Sequence, residues 1–241
     1  MSTIQIPTLI QSQRESWASL IKIAQVIHAD WILIGGQLVQ LHCWERDVTP
    51  PRVTTDVDTV LNVISEPEIL MKFTNVLKNL GFTPKTSPDG HQYKWVRDMA
   101  EIDILAPSKI GHRAASKIGI SGGTIPETPG GRTVFDFSEK IRVSMDGEEA
   151  MIIRPNLIGA LYIKSVAMEN YHDIGQARHL YDFAVLATLF SSEDSTGQIQ
   201  KKVNNKISSG IARLRRENKI ILQIDGCSEA LQRLEMAIDL E

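Results

Sequence analysis

The sequence predicts an α/β (α+β) protein in which a mixed, twisted sheet with flanking helices is followed by a C-terminal helical region. Three features lead to this prediction. A short apolar run, Trp31 to Ile34, ends at a glycine pair and is followed by a helical pattern. A β-branched run, Thr55 to Ile64, holds two acids in alternation, and the pattern after Asn156 is helical. The expected domains are an α/β core over residues 1–154 and a helical domain over residues 155–241.

Hydrophobic spacing places the first elements. Apolar residues three and four positions apart predict an amphipathic helix over about residues 12–28, which leads into the strand at residues 31–34. Gly35-Gly36 ends that strand, and a second helical pattern begins behind it. Because Pro50-Pro51 cannot continue a helix, we expect a loop there before the strand that carries the acids.

Glycine and proline mark the turns farther along the chain. A helix is expected over about residues 67–80, and Asp89-Gly90 is typical of a hairpin turn between two extended stretches. A strand over residues 101–105 follows. Residues 121–132 are rich in glycine and proline and are expected to form a long loop, and Asp146-Gly147 predicts a second hairpin.

The region after Asn156 is predicted to be helical to about residue 240, with a polar interruption at residues 191–197. Near its end lies a basic stretch that has one acid, Glu217, and contains Lys201, Lys202, Lys206, Arg213, Arg215, Arg216 and Lys219. This stretch is expected to be a solvated helix face, or else a surface for nucleic acid or an acidic partner. Aromatic residues do not interleave its cations, so a stacking platform for single strands is not indicated.

The amino-acid composition narrows the classes of protein to which this chain can belong. Of the 241 residues, 42% are hydrophobic, which is ordinary for a globular protein, and neither a membrane-spanning apolar run nor a secretory signal is seen. A cytoplasmic protein without a membrane partner is therefore expected. Cys43 and Cys227 lie far apart without zinc-site spacing and are expected to be reduced, structural thiols. The net charge of −3 neither favours nor excludes a nucleic-acid partner.

Two aspartates carry the chemistry that the sequence predicts. Side chains on a strand repeat every two residues, so Asp56 and Asp58 are expected to point the same way. Like charges this close repel, and a divalent cation relieves the repulsion. Mg²⁺, or Mn²⁺, prefers carboxylate oxygens and phosphates. An Asp-x-Asp pair is also common without any metal, and the prediction therefore depends on its surroundings.

Two features nearby favour the metal interpretation. Gly35-Gly36 lies at a strand-to-helix junction, where backbone N–H groups can bind phosphate, although a simple tight turn explains the pair equally well. Asp103 is a third acid, flanked by Ile102, Ile104 and Leu105, and its burial requires a reason. Glu101 is expected on the same face of that strand as Asp103.

These motifs together resemble the nucleotidyltransferase superfamily, especially its AbiEii/AbiGii toxin branch. The resemblance lies in the glycine pair within residues 34–38, in the Arg52-to-Asp58 stretch, and in residues 102–105. It extends into the helical half, where Pro155 to Lys164 and Arg178 to Asp182 are similar to the lysine helix and the Tyr-Asp helix of that branch. The similarity thus covers residues from about 30 to 190.

The sequence departs from the family pattern at two positions. Gly36 stands where many superfamily members have serine. Glycine at this position is normal for the toxin branch. His179 stands where that branch usually has aspartate.

The resemblance implies roles for individual residues. Asp56 and Asp58 would bind the metal ions that carry a nucleoside triphosphate, and Asp103 would ligate the second metal and help to deprotonate the acceptor hydroxyl. The acceptor would attack the α-phosphate and expel pyrophosphate, with catalysis arising from positioning and charge neutralisation. The expected nucleotide and phosphate contacts are Gly35, Gly36, Arg52, Thr54, Lys164 and Asp182.

Several of these residues have a structural alternative. Arg52 is expected either to bind phosphate or to neutralise Asp56 or Asp58. Lys164 is expected either at the nucleotide or as a surface lysine, and Asp182 either near the nucleotide or in a salt bridge.

Histidine occurs in two further motifs. His42 fits a core or capping histidine better than a catalytic one. His172-Asp173 is typical of metal-dependent phosphohydrolases, but the further histidines that such sites need are not seen.

The acceptor remains open at this point. The toxin-branch resemblance favours transfer to an RNA or protein hydroxyl, with an antitoxin encoded beside the enzyme as partner. A member that binds nucleotide or a partner without transfer is one alternative. A small-molecule enzyme of the aminoglycoside-modifying type is another, and a positively lined cleft beside the acids would count against it.

Overall fold

The structure, a computed structural model, describes residues 3–7, 9–87, 91–108, 125–169, 176–194 and 200–239. The turn predicted at Asp89-Gly90, the His172-Asp173 pair and the start of the predicted loop at residues 121–124 lie outside the described residues. The chain divides into two compact units. One comprises Met1–Leu38 with Arg52–Pro155, and the other comprises Val39–Pro51 with Asn156–Glu241.

The first unit contains both strands and helices. The strands are β1 Thr3–Gln5, β2 Trp31–Ile34, β3 Asp56–Leu61, β4 Thr83–Lys85, β5 Lys94–Arg97, β6 Ala100–Pro107, β7 Glu127–Thr128, β8 Ser138–Met145 and β9 Glu148–Pro155. The helices are α1 Gln11–Val26, α2 Gly35–Glu45, α3 Ile69–Asn79 and the short α4 Gly131–Val134. Helix α2 begins in the first unit and ends in the second.

The larger sheet is mixed, as predicted. Within the described residues its strands lie in the order β2-β3-β6-β5-β4, and β7 pairs with β6. Strands β3 and β6 run parallel, whereas β2 with β3, β6 with β5, and β5 with β4 are antiparallel. A parallel pair needs a long crossover, and α3, β4 and β5 supply it between β3 and β6.

A smaller sheet has the order β1-β8-β9. The predicted hairpin at Asp146-Gly147 is confirmed, because β8 and β9 pair antiparallel on either side of it. Asp146 and Gly147 have φ values of 54° and 81°, as a two-residue turn with left-handed centres requires. The predicted loop at residues 121–132 is wrong in part, since β7 and the start of α4 lie within its described residues.

Helix α1 covers the buried face of the larger sheet. It packs against β3, β6 and β9, and its apolar spacing brings Trp17 and Leu20 into the core, where both are fully buried. The sheet face turned inward carries the register pair Val57 and Ile102, also fully buried. The acids of β3 and β6 alternate with these residues and therefore lie on the opposite face.

The second unit is helical, as predicted for the region after Asn156. Besides the end of α2, its helices are α5 Leu157–Met168, α6 Gln176–Leu189, α7 Lys201–Arg216, α8 Asn218–Ile221 and α9 Cys227–Asp239. The Asn156 side chain caps α5 by accepting a 3.0 Å hydrogen bond from the Gly159 N–H. Gly210 allows close packing of α7, because a Cβ there would lie 2.7 Å from the Ser165 hydroxyl.

The basic stretch of α7 forms an amphipathic helix. Its apolar side, which includes Val203 and Leu214, is buried, while Lys201, Lys202, Arg215 and Arg216 are exposed. Arg215 forms two hydrogen bonds to Glu235, and Lys206 pairs with Glu169 at 2.6 Å. Among the helices of the described residues, none is long and apolar enough to cross a membrane.

Candidate functional site

Four carboxylates lie on one face of the larger sheet, in two rows across β3 and β6. The register of this parallel pair sets Asp56 opposite Glu101 and Asp58 opposite Asp103. Because alternate residues of a strand share a face, both rows point the same way. The prediction that Asp56 and Asp58 share a face is therefore confirmed, and the parallel pairing brings Asp103 beside them.

Three of these side chains form a cluster of possible metal ligands. One carboxylate oxygen from each of Asp56, Glu101 and Asp103 lies within 4.8 Å of the other two. Glu101 was not among the predicted site residues, although its position two residues before Asp103 had indicated a shared face. Its place opposite Asp56 depends on the strand register, which the sequence does not reveal.

Asp58 lies against the glycine pair. Gly35 has a φ of +74°, and a Cβ built on it would overlap the Asp58 carboxylate. A Cβ on Gly36 would lie 2.8 Å from the Thr54 side chain. The missing side chains of the pair thus make room for two site residues, while a role of the pair in phosphate binding stays a prediction.

A chain of hydrogen bonds fixes Asp56. The Thr54 hydroxyl donates a 2.7 Å hydrogen bond to Asp56 Oδ1, and Gln37 Nε2 donates to the Thr54 carbonyl at 2.8 Å. The indole N–H of Trp17 donates to Gln37 Oε1 at 2.7 Å. Gln37 and Trp17 are fully buried, so this connection is shielded from water.

Ser16 of α1 joins the two acid-bearing segments. Its hydroxyl lies 2.8 Å from the Thr55 carbonyl, to which it can donate, and it accepts a 3.2 Å hydrogen bond from the Glu101 N–H. The side chain is buried. Ser16 and Gln37 were not predicted as functional residues. The sequence signal for such a role is a polar residue on a helix face that is otherwise buried.

Lys94 on β5 places a cation on this face. It lies opposite Asp103 in the antiparallel register, and its ammonium forms a hydrogen-bonded ion pair with Glu101 Oε1. Asp103 Oδ1 is 3.7 Å from the same ammonium. Burial favours a lower pKa for Lys94, but the hydrogen bond to Glu101 and the charge of Asp103 outweigh it and raise the pKa above its usual value.

Asp103 has the most perturbed carboxyl group of the cluster. Burial, followed by the negative charge of Asp58, raises the pKa of Asp103 to about 8, and Lys94 offsets only part of this shift. Its Oδ1 atom is buried and accepts no hydrogen bond from the residues that the structure describes. A buried carboxylate oxygen without a hydrogen bond is the donor that a hard divalent ion prefers, so the residues present fit Mg²⁺ or Mn²⁺.

The other predicted contacts lie as follows. Arg52 is half-buried in the segment before β3, two positions ahead of Thr54. In the helical unit, Lys164 Nζ donates a 2.6 Å hydrogen bond to Asp182 Oδ2, and both side chains are buried, so Lys164 is not a surface lysine. A contact of Lys164 or Asp182 with nucleotide stays a prediction.

His42 and the two cysteines, Cys43 and Cys227, are buried. His42 is buried in α2, with Nδ1 3.4 Å from an Arg46 guanidinium nitrogen, as a core histidine would be. Both cysteines are free and buried. Burial raises the pKa of the Cys43 thiol to about 12, which makes it a poor nucleophile.

Comparison with known proteins supports the fold. No family model matches the chain, and no curated protein matches it. The crystal structure of an antigenic nucleotidyltransferase-like protein from Paracoccidioides brasiliensis superposes with a TM-score of 0.54 and 15% identity, covering 92% of this chain and 93% of the other. The solution structure of the antibiotic-resistance factor ANT(2'')-Ia gives a TM-score of 0.47 and 10% identity, covering 90% of this chain and 100% of the other. The first likeness shows that this chain has a nucleotidyltransferase-like fold.

Proposed function

We propose that this protein is a metal-dependent nucleotidyltransferase that transfers a nucleoside monophosphate from a nucleoside triphosphate to a hydroxyl group of RNA or protein. The observation that carries the proposal is the parallel pairing of Asp56 with Glu101 and of Asp58 with Asp103 on a half-exposed sheet face. The nucleotidyltransferase-like fold of this chain also supports the proposal. The motif resemblance to the AbiEii/AbiGii branch supports a toxin-like role.

The metal would be held by Asp56, Asp58 and Asp103, with Glu101 as a further oxygen donor nearby. When bound, Mg²⁺ or Mn²⁺ would neutralise the triphosphate and the charge that develops during transfer. The chain's own contribution is the fixed arrangement of the carboxylates. Thr54 holds Asp56 by a 2.7 Å hydrogen bond, and Gly35 leaves the space that Asp58 fills.

Asp103 is suited to take the proton of the acceptor. In the transfer, the acceptor oxygen forms a bond to the α-phosphorus, the bond to the pyrophosphate oxygen breaks, and the hydroxyl proton passes to Asp103. Burial raises its pKa in the metal-free protein, and a bound divalent ion would lower it again, so that the carboxylate would be ionised when the acceptor hydroxyl arrives.

Label transfer tests the proposal directly. The protein is incubated with each α-labelled triphosphate, Mg²⁺ and cell extract, and the wild type is compared with Asp58→Ala and with Asp98→Asn as a control. Asp98 is exposed and has a left-handed backbone that asparagine tolerates, so Asp98→Asn is expected to transfer label like the wild type. We expect Asp58→Ala to reduce transfer by at least about a hundredfold, as for loss of a metal ligand. Triphosphate binding without transfer in the wild type would instead support a non-catalytic member of the fold.

A second candidate is transfer to a small polycationic acceptor of the aminoglycoside type. The observation that favours it is Glu101, a fourth carboxylate on the face that carries Asp56, Asp58 and Asp103. Lys94 favours the opposite conclusion, because it places a positive charge within this face. Supplying the labelled reaction with purified total RNA in one arm and an aminoglycoside in the other distinguishes the two acceptors.

The toxin role has its own test. Expression of an active toxin is expected to arrest growth, whereas Asp58→Ala is expected to leave growth unchanged. Coexpression of a cognate antitoxin, taken from the neighbouring gene, is expected to restore growth. Label transfer without growth arrest would support the transferase activity and contradict the toxin role.

A further inference from the structure

Lys94 shares its register row with two of the acids. Strand β3 sets Asp58 beside Asp103, and β5 sets Lys94 on the other side of Asp103. Directly opposite residues in neighbouring strands have their Cβ atoms only about 4.5–5.5 Å apart on the same face. The sheet therefore places a lysine in the same row as the carboxylates.

The ammonium contacts two of the three possible metal ligands. It is hydrogen-bonded to Glu101 and lies 3.7 Å from Asp103 Oδ1. The Lys94 side chain is only 29% exposed, so bulk water screens its charge less than it would screen a surface lysine. The charge lies within ion-pair distance of the oxygens that a divalent ion would need.

A divalent ion and this ammonium compete for the same oxygens. Two cations at a separation of a few ångströms repel, and the repulsion is stronger at a partly buried site than in bulk water. An ion that binds Glu101 Oε1 must displace the ammonium from that oxygen, and an ion that binds the other oxygen of the same carboxylate lies within a few ångströms of the ammonium. Lys94 thus favours the metal-free cluster and disfavours the occupied one.

The geometry points to Lys94 as a built-in counter-cation that withholds Glu101 from the metal-ligand set and weakens the binding of divalent ions when no nucleotide is present. This inference rests on the metal site of the proposed function. Its consequence is that the metal ion arrives mainly together with the triphosphate, whose negative charges offset the repulsion from Lys94. The resting protein would keep its carboxylates balanced without bound metal.

Binding of Mn²⁺ alone, followed by the electron paramagnetic resonance of free Mn²⁺, tests this inference. We expect Lys94→Met to bind Mn²⁺ at least about tenfold more tightly than the wild type. Lys94→Gln removes the charge but keeps a hydrogen-bond donor for Glu101, and it is measured alongside in case the methionine variant does not fold. Lys94→Arg keeps the charge and is expected to bind Mn²⁺ like the wild type.

Two further variants locate the effect. Lys78 is an exposed lysine of α3, and Lys78→Met is expected to leave Mn²⁺ affinity unchanged. In the double variant Lys94→Met with Glu101→Gln, most of the gain is expected to disappear, because the ligand that Lys94 withholds is missing. A double variant that keeps the whole gain would overturn the assignment of Glu101.

The outcomes separate this inference from the proposed function. Equal Mn²⁺ affinity of the wild type and of both charge-removing variants, Lys94→Met and Lys94→Gln, overturns the role of Lys94 and leaves the metal site intact. Absence of Mn²⁺ binding in the wild type and in these variants overturns the metal site, and the role of Lys94 with it. Binding that appears or tightens only when the lysine charge is removed supports the inference, even if no acceptor has been found.

Discussion

Gly35 and Asp58 share one space, because the Asp58 carboxylate lies where a side chain at position 35 would begin. The contact explains why the strand β2 ends in glycine at this point. Gly35 also has a φ of +74°, which residues with a Cβ rarely adopt. Two independent constraints therefore act on a single residue beside the candidate metal site.

Replacing Gly35 by alanine is expected to disturb both the backbone and the acid. Left-handed backbone alone costs about 1–2 kcal/mol for a residue with a Cβ, and the overlap with Asp58 adds to this cost. Gly147 is a matched control, since its φ is +81° and its added Cβ would meet nothing within 4 Å. Urea unfolding should show a larger loss of stability for Gly35→Ala than for Gly147→Ala. Equal losses would mean that Asp58 moves aside freely.

The contribution of Asp103 to the stability of the metal-free protein is expected to fall as pH rises from about 4 to about 8. The pKa of Asp103 is raised from 3.8 in the unfolded reference to about 8 in the folded protein, so the folded state holds its proton longer than the unfolded state. Stability falls with pH wherever the folded state binds more protons. Thermal unfolding in EDTA across this range is expected to show a shallower decline for Asp103→Asn. Parallel profiles for the two proteins would contradict the shifted pKa.

The same carboxyl group makes metal binding depend on pH. A ligand must lose its proton before it binds a cation, so the apparent Mn²⁺ affinity is expected to rise towards pH 8 and then level off. Isothermal titration of the wild type at several pH values gives this profile. An affinity that is constant between pH 6 and pH 8 would contradict the combination of a raised pKa with a ligand role for Asp103.

Ser16→Ala removes a hydroxyl that joins the two acid-bearing segments. It leaves the Glu101 N–H without its acceptor, and a buried unsatisfied donor costs about 1–3 kcal/mol. Ser19→Ala on the same helix is the comparison, because the Ser19 hydroxyl contacts neither acid-bearing segment: it donates to the Glu15 carbonyl and accepts a hydrogen bond from the Arg97 guanidinium. We expect Ser16→Ala, but not Ser19→Ala, to weaken Mn²⁺ binding several-fold. Loss of stability in both without any change in Mn²⁺ affinity would confine Ser16 to a structural role.

The buried pair Lys164 and Asp182 is expected to be costly to break. Removing one partner leaves an uncompensated charge, which typically costs about 3–5 kcal/mol. Lys164→Met and Asp182→Leu are compared with the double variant by urea unfolding. The double variant is expected to be more stable than either single one, because no charge remains buried. If the double variant also binds triphosphate like the wild type, the predicted phosphate contact of Lys164 is wrong.

Local patterns in the sequence were enough to predict several features of this protein. The alternation of Asp56 and Asp58 predicted their shared face, and the apolar run at Trp31 to Ile34 predicted β2 with the bounds that are observed. Neither prediction requires knowledge of a distant residue. Both follow from the geometry of a single strand.

The sequence alone did not predict the features that depend on which strands pair and in which register. Glu101 faces Asp56, and Lys94 faces Asp103, only because β3, β6 and β5 pair in one register. A slip of two residues would keep these side chains on the same face and change their partners, and nothing in the local pattern fixes that choice between distant segments. The hydrogen-bonded pair of Lys164 and Asp182 is likewise set by the packing of α5 on α6.

The parallel pairing of β3 with β6 also bears on how the chain folds. These strands are separated by α3, β4 and β5, and contacts between segments so distant in sequence slow folding because a long loop must close first. Repulsion between the acids of β3 and those of β6 arises only when the loop closes, so this step meets an electrostatic barrier in addition to the entropic one. Divalent ions are therefore expected to accelerate refolding at low ionic strength, and Lys94 gives the nascent chain a counter-charge of its own.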